Sequence, residues 1–125
     1  MPTAQTAGDQ KAGARAAFFA RMLAANAPAQ AAELPPSWQQ ALDELRLAYL
    51  AGAGAACVVL SFALAEAAQR RAGDGENPEY DLLRARRNRV AHLDKDDYPD
   101  PATLDDWADA ALRTALRLAY AAAWR

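Results

Sequence analysis

The sequence predicts an all-α protein built as an up-and-down bundle of four helices. Alanine supplies 35 of the 125 residues, whereas the β-branched set amounts to three valines, four threonines and no isoleucine. Alanine favours helix and β-branched residues favour strands, so this composition favours helix along the whole chain. Three segments rich in helix-breaking or acidic residues divide the chain into four helical stretches with short connections.

The first helix is predicted over residues 9–26, after a loose polar tail at residues 1–8. Residues 9–125 are predicted to form a single domain, because the chain has the length of one ordinary domain. Large apolar side chains recur at helical spacing in the first helix, at Phe18, Phe19, Met22 and Leu23. The prolines at 28, 35 and 36 end this helix and set an extended connection.

A long central helix is predicted next, with Ser37 as its N-cap and its end near Arg71. Gly52 and Gly54 lower its intrinsic stability and mark the position of a kink. Its longest uncharged stretch, residues 47–65, is rich in alanine and glycine and has few large apolar side chains, so it would insert poorly into a bilayer. We therefore expect a buried core helix and no membrane span.

The third helix is predicted over residues 80–93, and a fourth runs from about Thr103 to Trp124 with Thr103 and Asp106 as a capping pair. On a helical wheel, one apolar stripe of the third helix is expected to face the core and consists of Leu82, Leu83, Val90 and Leu93. Arg86 points into this stripe, which indicates an interface, because a cation on an apolar face needs a partner.

Charges are unevenly distributed along the chain, although the net charge is only -2. Four arginines lie within six residues, at Arg84, Arg86, Arg87 and Arg89. An acidic segment follows directly, so the arginine cluster alone is typical of an ion-paired surface. The single cysteine, Cys57, lies in an apolar run and cannot close an internal disulfide. These features, and the absence of a secretory signal pattern, predict a cytoplasmic protein.

The run from Leu83 to His92, LRARRNRVAH, resembles the signature of HEPN domains. In that signature an arginine followed by a polar residue precedes a histidine by four to six positions. Arg87, Asn88 and His92 fit it, and Arg86 also satisfies the spacing. The resemblance covers residues 34–124, because the proline-rich connection and the Ala/Gly-rich long helix are similar to a branch of HEPN proteins.

The resemblance implies a HEPN-like four-helix bundle that forms a homodimer, with two copies of the motif meeting in one composite site. It further implies a metal-independent endoribonuclease without a cofactor, often a toxin with a protein antitoxin or a defence component. By motif position, Arg87 would stabilise the phosphate, His92 would transfer protons and Asn88 would orient the backbone or the imidazole. Arg84, Arg86 and Arg89 would help to bind the RNA.

Elementary chemistry is consistent with these roles. Attack of a ribose 2′-hydroxyl on its own phosphate needs a base, an acid and cationic donors, which histidine and arginine supply near neutral pH. Because the chain has one histidine, an acid-base pair of histidines needs two copies.

Three alternatives remain open from the sequence. The first is a non-catalytic HEPN module that uses the same residues to bind a protein, a nucleotide or RNA. The second is a helical subunit of a larger assembly whose activity lies on another chain. A lone histidine near a helix end also commonly serves as a cap or a partner of the helix dipole. Glu66 is either a carboxylate near the site or an ordinary exposed acid.

Overall fold

The computed structural model describes residues 4–27 and 33–123, with side chains from residue 7 onward. Five α-helices and no strand are found among these residues, which confirms the all-α prediction. The helices are α1 (Ala4–Asn26), α2 (Pro36–Leu50), α3 (Gly54–Arg71), α4 (Pro78–Ala91) and α5 (Pro101–Ala123). Helix α1 begins at Ala4, within the segment predicted as a tail. Residues 1–3, Pro28 and Trp124 lie outside the described residues.

The predicted long central helix is wrong, because the chain reverses direction in its middle. Residues 51–53 form a turn between α2 and α3, and Gly52 adopts a φ of 74°. The guanidinium of Arg71, at the end of α3, lies 5.5 Å from the ring centroid of Trp38, near the start of α2. The two helices are therefore an antiparallel hairpin and not one kinked helix.

Further contacts fix the direction of the last two helices. Gly54, the first residue of α3, adjoins Leu104, near the start of α5, so α3 and α5 run parallel. Glu79, near the start of α4, forms an ion pair with Arg117, near the end of α5. Helices α2 to α5 thus alternate in direction, but the described residues contain five helices where the sequence predicted four.

The core lies mainly between α3 and α5. Its most enclosed large side chains are Leu45 from α2, Val58 and Leu64 from α3, and Leu112 and Leu116 from α5. Helix α4 packs on one side of this pair through Leu83 and Val90, while α1 packs on another side through Phe19. No helix within residues 4–27 and 33–123 combines the length and the apolar character that crossing a membrane requires.

The helix starts also differ from the predicted caps. Pro35 occupies the N-cap position of α2, and Pro36 is the first helical residue, whereas Ser37 was predicted as the cap. The fixed φ of proline suits the first turn of a helix, and no side chain caps α2. At α5 the carboxylate of Asp100, not Thr103, caps the helix by accepting a 2.8 Å bond from the Thr103 backbone N–H. This bond lowers the pKa of Asp100.

Replacing Gly52 by alanine should destabilise the fold by about 1–2 kcal/mol, because a left-handed φ strains any residue with a Cβ. The new Cβ would also meet the Arg15 guanidinium, 2.7 Å from its Nη2. Urea unfolding followed by circular dichroism measures this loss. Gly13→Ala is the matched control: Gly13 lies in α1 with open space around it, so the change should stabilise by about 0.5–1 kcal/mol. Equal effects of the two changes would contradict the assigned turn.

Candidate functional site on helix α4

Helix α4 lies at the edge of the bundle and turns a polar face outward. Arg84, Asn88 and His92 are four residues apart, so they follow one side of the helix, and all three are exposed. Asp81 and Ala85 are exposed on the same side. We call these five residues the outer face of α4. The small side chain of Ala85 at its centre leaves room for another surface to approach.

The side chains of Asn88 and His92 are not used to hold the helix in place. Within the described residues, neither side chain makes a hydrogen bond or an ion pair. His92 ends α4 as its C-cap residue, with φ of -110° and ψ of 78°, and its carbonyl accepts a 3.3 Å bond from the Lys95 backbone N–H. The imidazole is therefore free to contact a ligand or a second copy of the chain.

Arg87 points away from the outer face and toward α3. Its guanidinium carbon lies 4.3 Å from the ring centroid of Phe62, and its Nε atom is buried without a hydrogen-bond partner. Arg87 lines a cavity of about 490 Å³ between α3 and α4, and His92 does not. Within one chain, the structure therefore does not bring Arg87 and His92 into a common cleft.

The cavity between α3 and α4 contains aromatic and charged groups from both helices. The rings of Phe62 and Tyr80 stack with centroids 5.6 Å apart, and the Arg84 guanidinium lies 5.7 Å from the Tyr80 ring centroid. Glu66 lines the same cavity, 3.7 Å from an Arg70 nitrogen. Burial and the Glu66 charge raise the pKa of Tyr80, so its hydroxyl stays protonated at neutral pH. The structure thus brings Glu66 and Arg87 to one cavity.

Arg86 and Arg89 are engaged with α5. Their guanidinium groups lie 5.3 and 5.4 Å from the ring centroid of Trp107, and Arg89 also pairs with a carboxylate oxygen of Asp97 at 3.3 Å. Arg86 therefore does not enter the apolar contact between the helices as an unpartnered cation. Sequence reasoning missed Trp107, because it is separated from these arginines by an acidic loop and no local pattern links them.

The predicted apolar stripe of α4 is wrong at both ends. Leu83 and Val90 are buried, but Leu82 is 51% exposed and Leu93 is 73% exposed. Leu93 lies beyond the end of the helix, where the helical spacing used for the prediction no longer applies. Leu82 lies at the margin of the groove between α4 and α5. Two large apolar side chains therefore flank α4 on its solvent side.

No cluster of three or more histidine, cysteine, aspartate or glutamate side chains within the described residues is arranged to hold a metal ion. Comparisons with models of protein families, with curated proteins and with solved structures find no match to this chain. Any assignment of function therefore rests on the geometry of α4 and on the resemblance of residues 83–92.

Proposed function

We propose that this protein is a metal-independent endoribonuclease of the HEPN type that acts as a homodimer through the outer face of α4. The observation that carries the proposal is that Asn88 and His92 are exposed on this face without any partner in the described chain. Polar side chains with no structural role, in a run that resembles the HEPN signature, support a role in binding or chemistry.

Dimerisation is part of the proposed mechanism, because the chain has a single histidine. In the dimer, His92 of one copy takes the proton of a ribose 2′-hydroxyl as its oxygen attacks the adjacent phosphorus. His92 of the second copy, protonated, gives its proton to the 5′-oxygen as the P–O5′ bond breaks. The products are a 2′,3′-cyclic phosphate end and a 5′-hydroxyl end. Neither histidine is consumed, because product release and proton exchange with water restore both.

Arginine would hold the negative charge that develops on the phosphate. Arg84 lies on the outer face, and Arg87 lies one turn further along α4 on the side toward α3. Arg84 pairs with a carboxylate oxygen of Asp81 at 3.2 Å. Arg87 forms no ion pair among the described residues, and its buried Nε has no hydrogen-bond partner. A guanidinium presents two parallel N–H donors to a phosphate and stabilises the extra charge of the phosphorane. Asn88, which follows Arg87 and lies on the outer face between Arg84 and His92, would orient the RNA backbone or the imidazole.

A second function is favoured by the position of Arg87 in the cavity between α3 and α4. If Arg87 stays in that cavity, an acidic group of a protein or a nucleic acid binds there, and no cleavage follows. The chain is then a non-catalytic HEPN module. For the ribonuclease, a protein partner such as an antitoxin would act by covering the outer face of α4.

Purified protein should cleave mixed-sequence single-stranded RNA in the presence of EDTA and leave 2′,3′-cyclic phosphate ends. His92→Ala should slow the reaction by about 100-fold or more, the usual contribution of a general acid or base. Lys95→Ala is the matched control, because Lys95 lies three residues further along, is exposed and contacts His92 only through its backbone. Sequencing gels and end-group analysis measure the rate and the products.

Intact RNA with folded wild-type protein would contradict the ribonuclease proposal and favour the binding module. Equal rates for wild-type and His92→Ala protein would assign the cleavage to a contaminant and contradict the proposal as well.

A further inference from the structure

A second cavity lies on the opposite side of α5 from α4 and is not used by the proposed ribonuclease. It has a volume of about 400 Å³ and is lined by α1, the end of α2, the turn between α2 and α3, the start of α3 and the first half of α5. This volume is within the range of sites that bind small molecules. Because none of its lining residues belongs to the outer face of α4, the two sites are independent.

The walls of this cavity carry opposite charges. Lys11 and Arg15, four residues apart on α1, form the cationic wall, and Asp105 and Asp109, four residues apart on α5, form the acidic wall. Among the described residues, no cation of the first wall comes within ion-pair distance of a carboxylate of the second. The cationic wall and the acidic wall therefore face each other across the cavity without direct contact. A ligand that carries a negative and a positive group could bind to both walls at once.

Two features of the fold hold this arrangement in place. The Tyr49 hydroxyl donates a 2.6 Å hydrogen bond to Asp109 Oδ1, which fixes one oxygen of that carboxylate. Burial raises the pKa of Tyr49 well above its usual range, so the hydroxyl remains a donor at neutral pH. At the rim, the missing side chain of Gly52 leaves room for the Arg15 guanidinium to lie against the turn.

Between the charged walls lies an apolar patch. It is formed by the ring of Phe18, the methyl group of Ala108 and the buried thiol of Cys57, and the guanidinium groups of Arg21 and Arg113 lie 5.8 and 5.7 Å from the Phe18 ring centroid. Burial raises the pKa of Cys57 to about 11, so the thiol is uncharged at neutral pH and behaves as a small apolar group. A ligand that fits both the walls and this surface carries an ammonium group, a carboxylate and an apolar substituent.

We propose that the cavity between α1 and α5 binds a free α-amino acid with an apolar side chain. Its ammonium group binds Asp105 and Asp109, its carboxylate binds Lys11 and Arg15, and its side chain lies against Phe18. A charge-assisted hydrogen bond at each end gives the site its selectivity for the zwitterion.

Calorimetric titration with L-leucine and L-phenylalanine tests this proposal. The N-acetyl amide of each amino acid is the control ligand, because it keeps the side chain and lacks both charges. The free amino acids should bind saturably, and the blocked forms should bind at least about tenfold more weakly, as expected for the loss of charge-assisted bonds. Absence of binding by both free amino acids would overturn the proposal. Equal binding of free and blocked forms would overturn it too, because an apolar cleft alone would then account for the binding.

Variants of the charged residues test whether the amino acid binds in this cavity. Asp109→Asn keeps the shape of the side chain and an oxygen that can accept the Tyr49 bond, and it should weaken binding about tenfold. Arg15→Gln should do the same, whereas Glu44→Gln, exposed on α2 outside the cavity, should leave the affinity unchanged. Unchanged affinity in both cavity variants would overturn the proposal. If a cavity variant fails to fold, the comparison of free and blocked ligands on the wild-type protein decides.

Discussion

Replacing Arg87 by alanine should slow RNA cleavage by about 100- to 1,000-fold, the effect of losing one donor to the transition-state oxyanion. Arg86→Ala should leave the rate nearly unchanged, because the Arg86 guanidinium lies over Trp107 and faces α5. The pair of variants thus separates the two arginines that fit the spacing of the HEPN signature. Initial rates on labelled RNA, at equal concentrations of folded protein, measure the difference.

The stability of the two variants provides the control for this comparison. Each loses one contact between a guanidinium and an aromatic ring, Arg87 with Phe62 and Arg86 with Trp107, so each should lose about 1 kcal/mol of unfolding free energy. Equal stability with unequal activity is the expected pattern. An equal or larger loss of activity in Arg86→Ala would contradict the assigned roles, and wild-type rates in both variants would show that neither arginine acts on the phosphate.

The largest effect on stability is expected from Leu112→Ala. Leu112 lies on α5, is 0% exposed and belongs to the core that joins α5 to α1, α2 and α3. Truncation of a fully buried leucine removes its contacts and leaves a cavity, so the free energy of unfolding should fall by about 3–4 kcal/mol. This is a large fraction of the roughly 5–15 kcal/mol that stabilises a typical domain. Urea unfolding monitored at 222 nm measures the change.

Leu47→Ala is the matched control for the core variant. Leu47 lies on α2, is 66% exposed and should change the unfolding free energy by no more than about 0.5 kcal/mol. A similar loss in both variants would contradict the burial pattern of the bundle. A small loss in Leu112→Ala alone would show that α5 is not the central helix of the core.

Much of the fold could be predicted from composition and helix-breaking residues. The six helix ends that border the three breaker-rich or acidic segments lie within two residues of their predicted positions, as at Asn26 and Arg71. The reversal at Gly52 could not be predicted, because the alanine-rich sequence favours helix on both sides of Gly52. That preference is the same whether the chain continues in one helix or reverses into a second. Only the packing of α2 against α3, visible in the contact of Trp38 with Arg71, distinguishes a hairpin from a kinked helix.

The candidate site could be predicted only in part, because local helical spacing predicts exposure but not contacts with other helices. The exposed positions of Asn88 and His92 agree with the helical wheel of residues 80–93, since both lie opposite Leu83. The wheel does not reveal that Arg87 contacts Phe62 or that Arg86 contacts Trp107, because these rings come from other helices. The pairing of Tyr49 with Asp109 spans 60 residues and leaves no local trace in the sequence.

The central claim is that two copies meet through the outer face of α4, and cysteine cross-linking tests it most directly. Cys57 is buried, so the wild-type protein offers no reactive thiol among the described residues. Ala85→Cys introduces a thiol at the centre of the outer face, and Ala63→Cys introduces one on the exposed side of α3 as the control. With a short bismaleimide, the Ala85→Cys protein should form a covalent dimer on a denaturing gel, while the Ala63→Cys protein should not be cross-linked. Absence of the covalent dimer from the Ala85→Cys protein under the same conditions would contradict the claim.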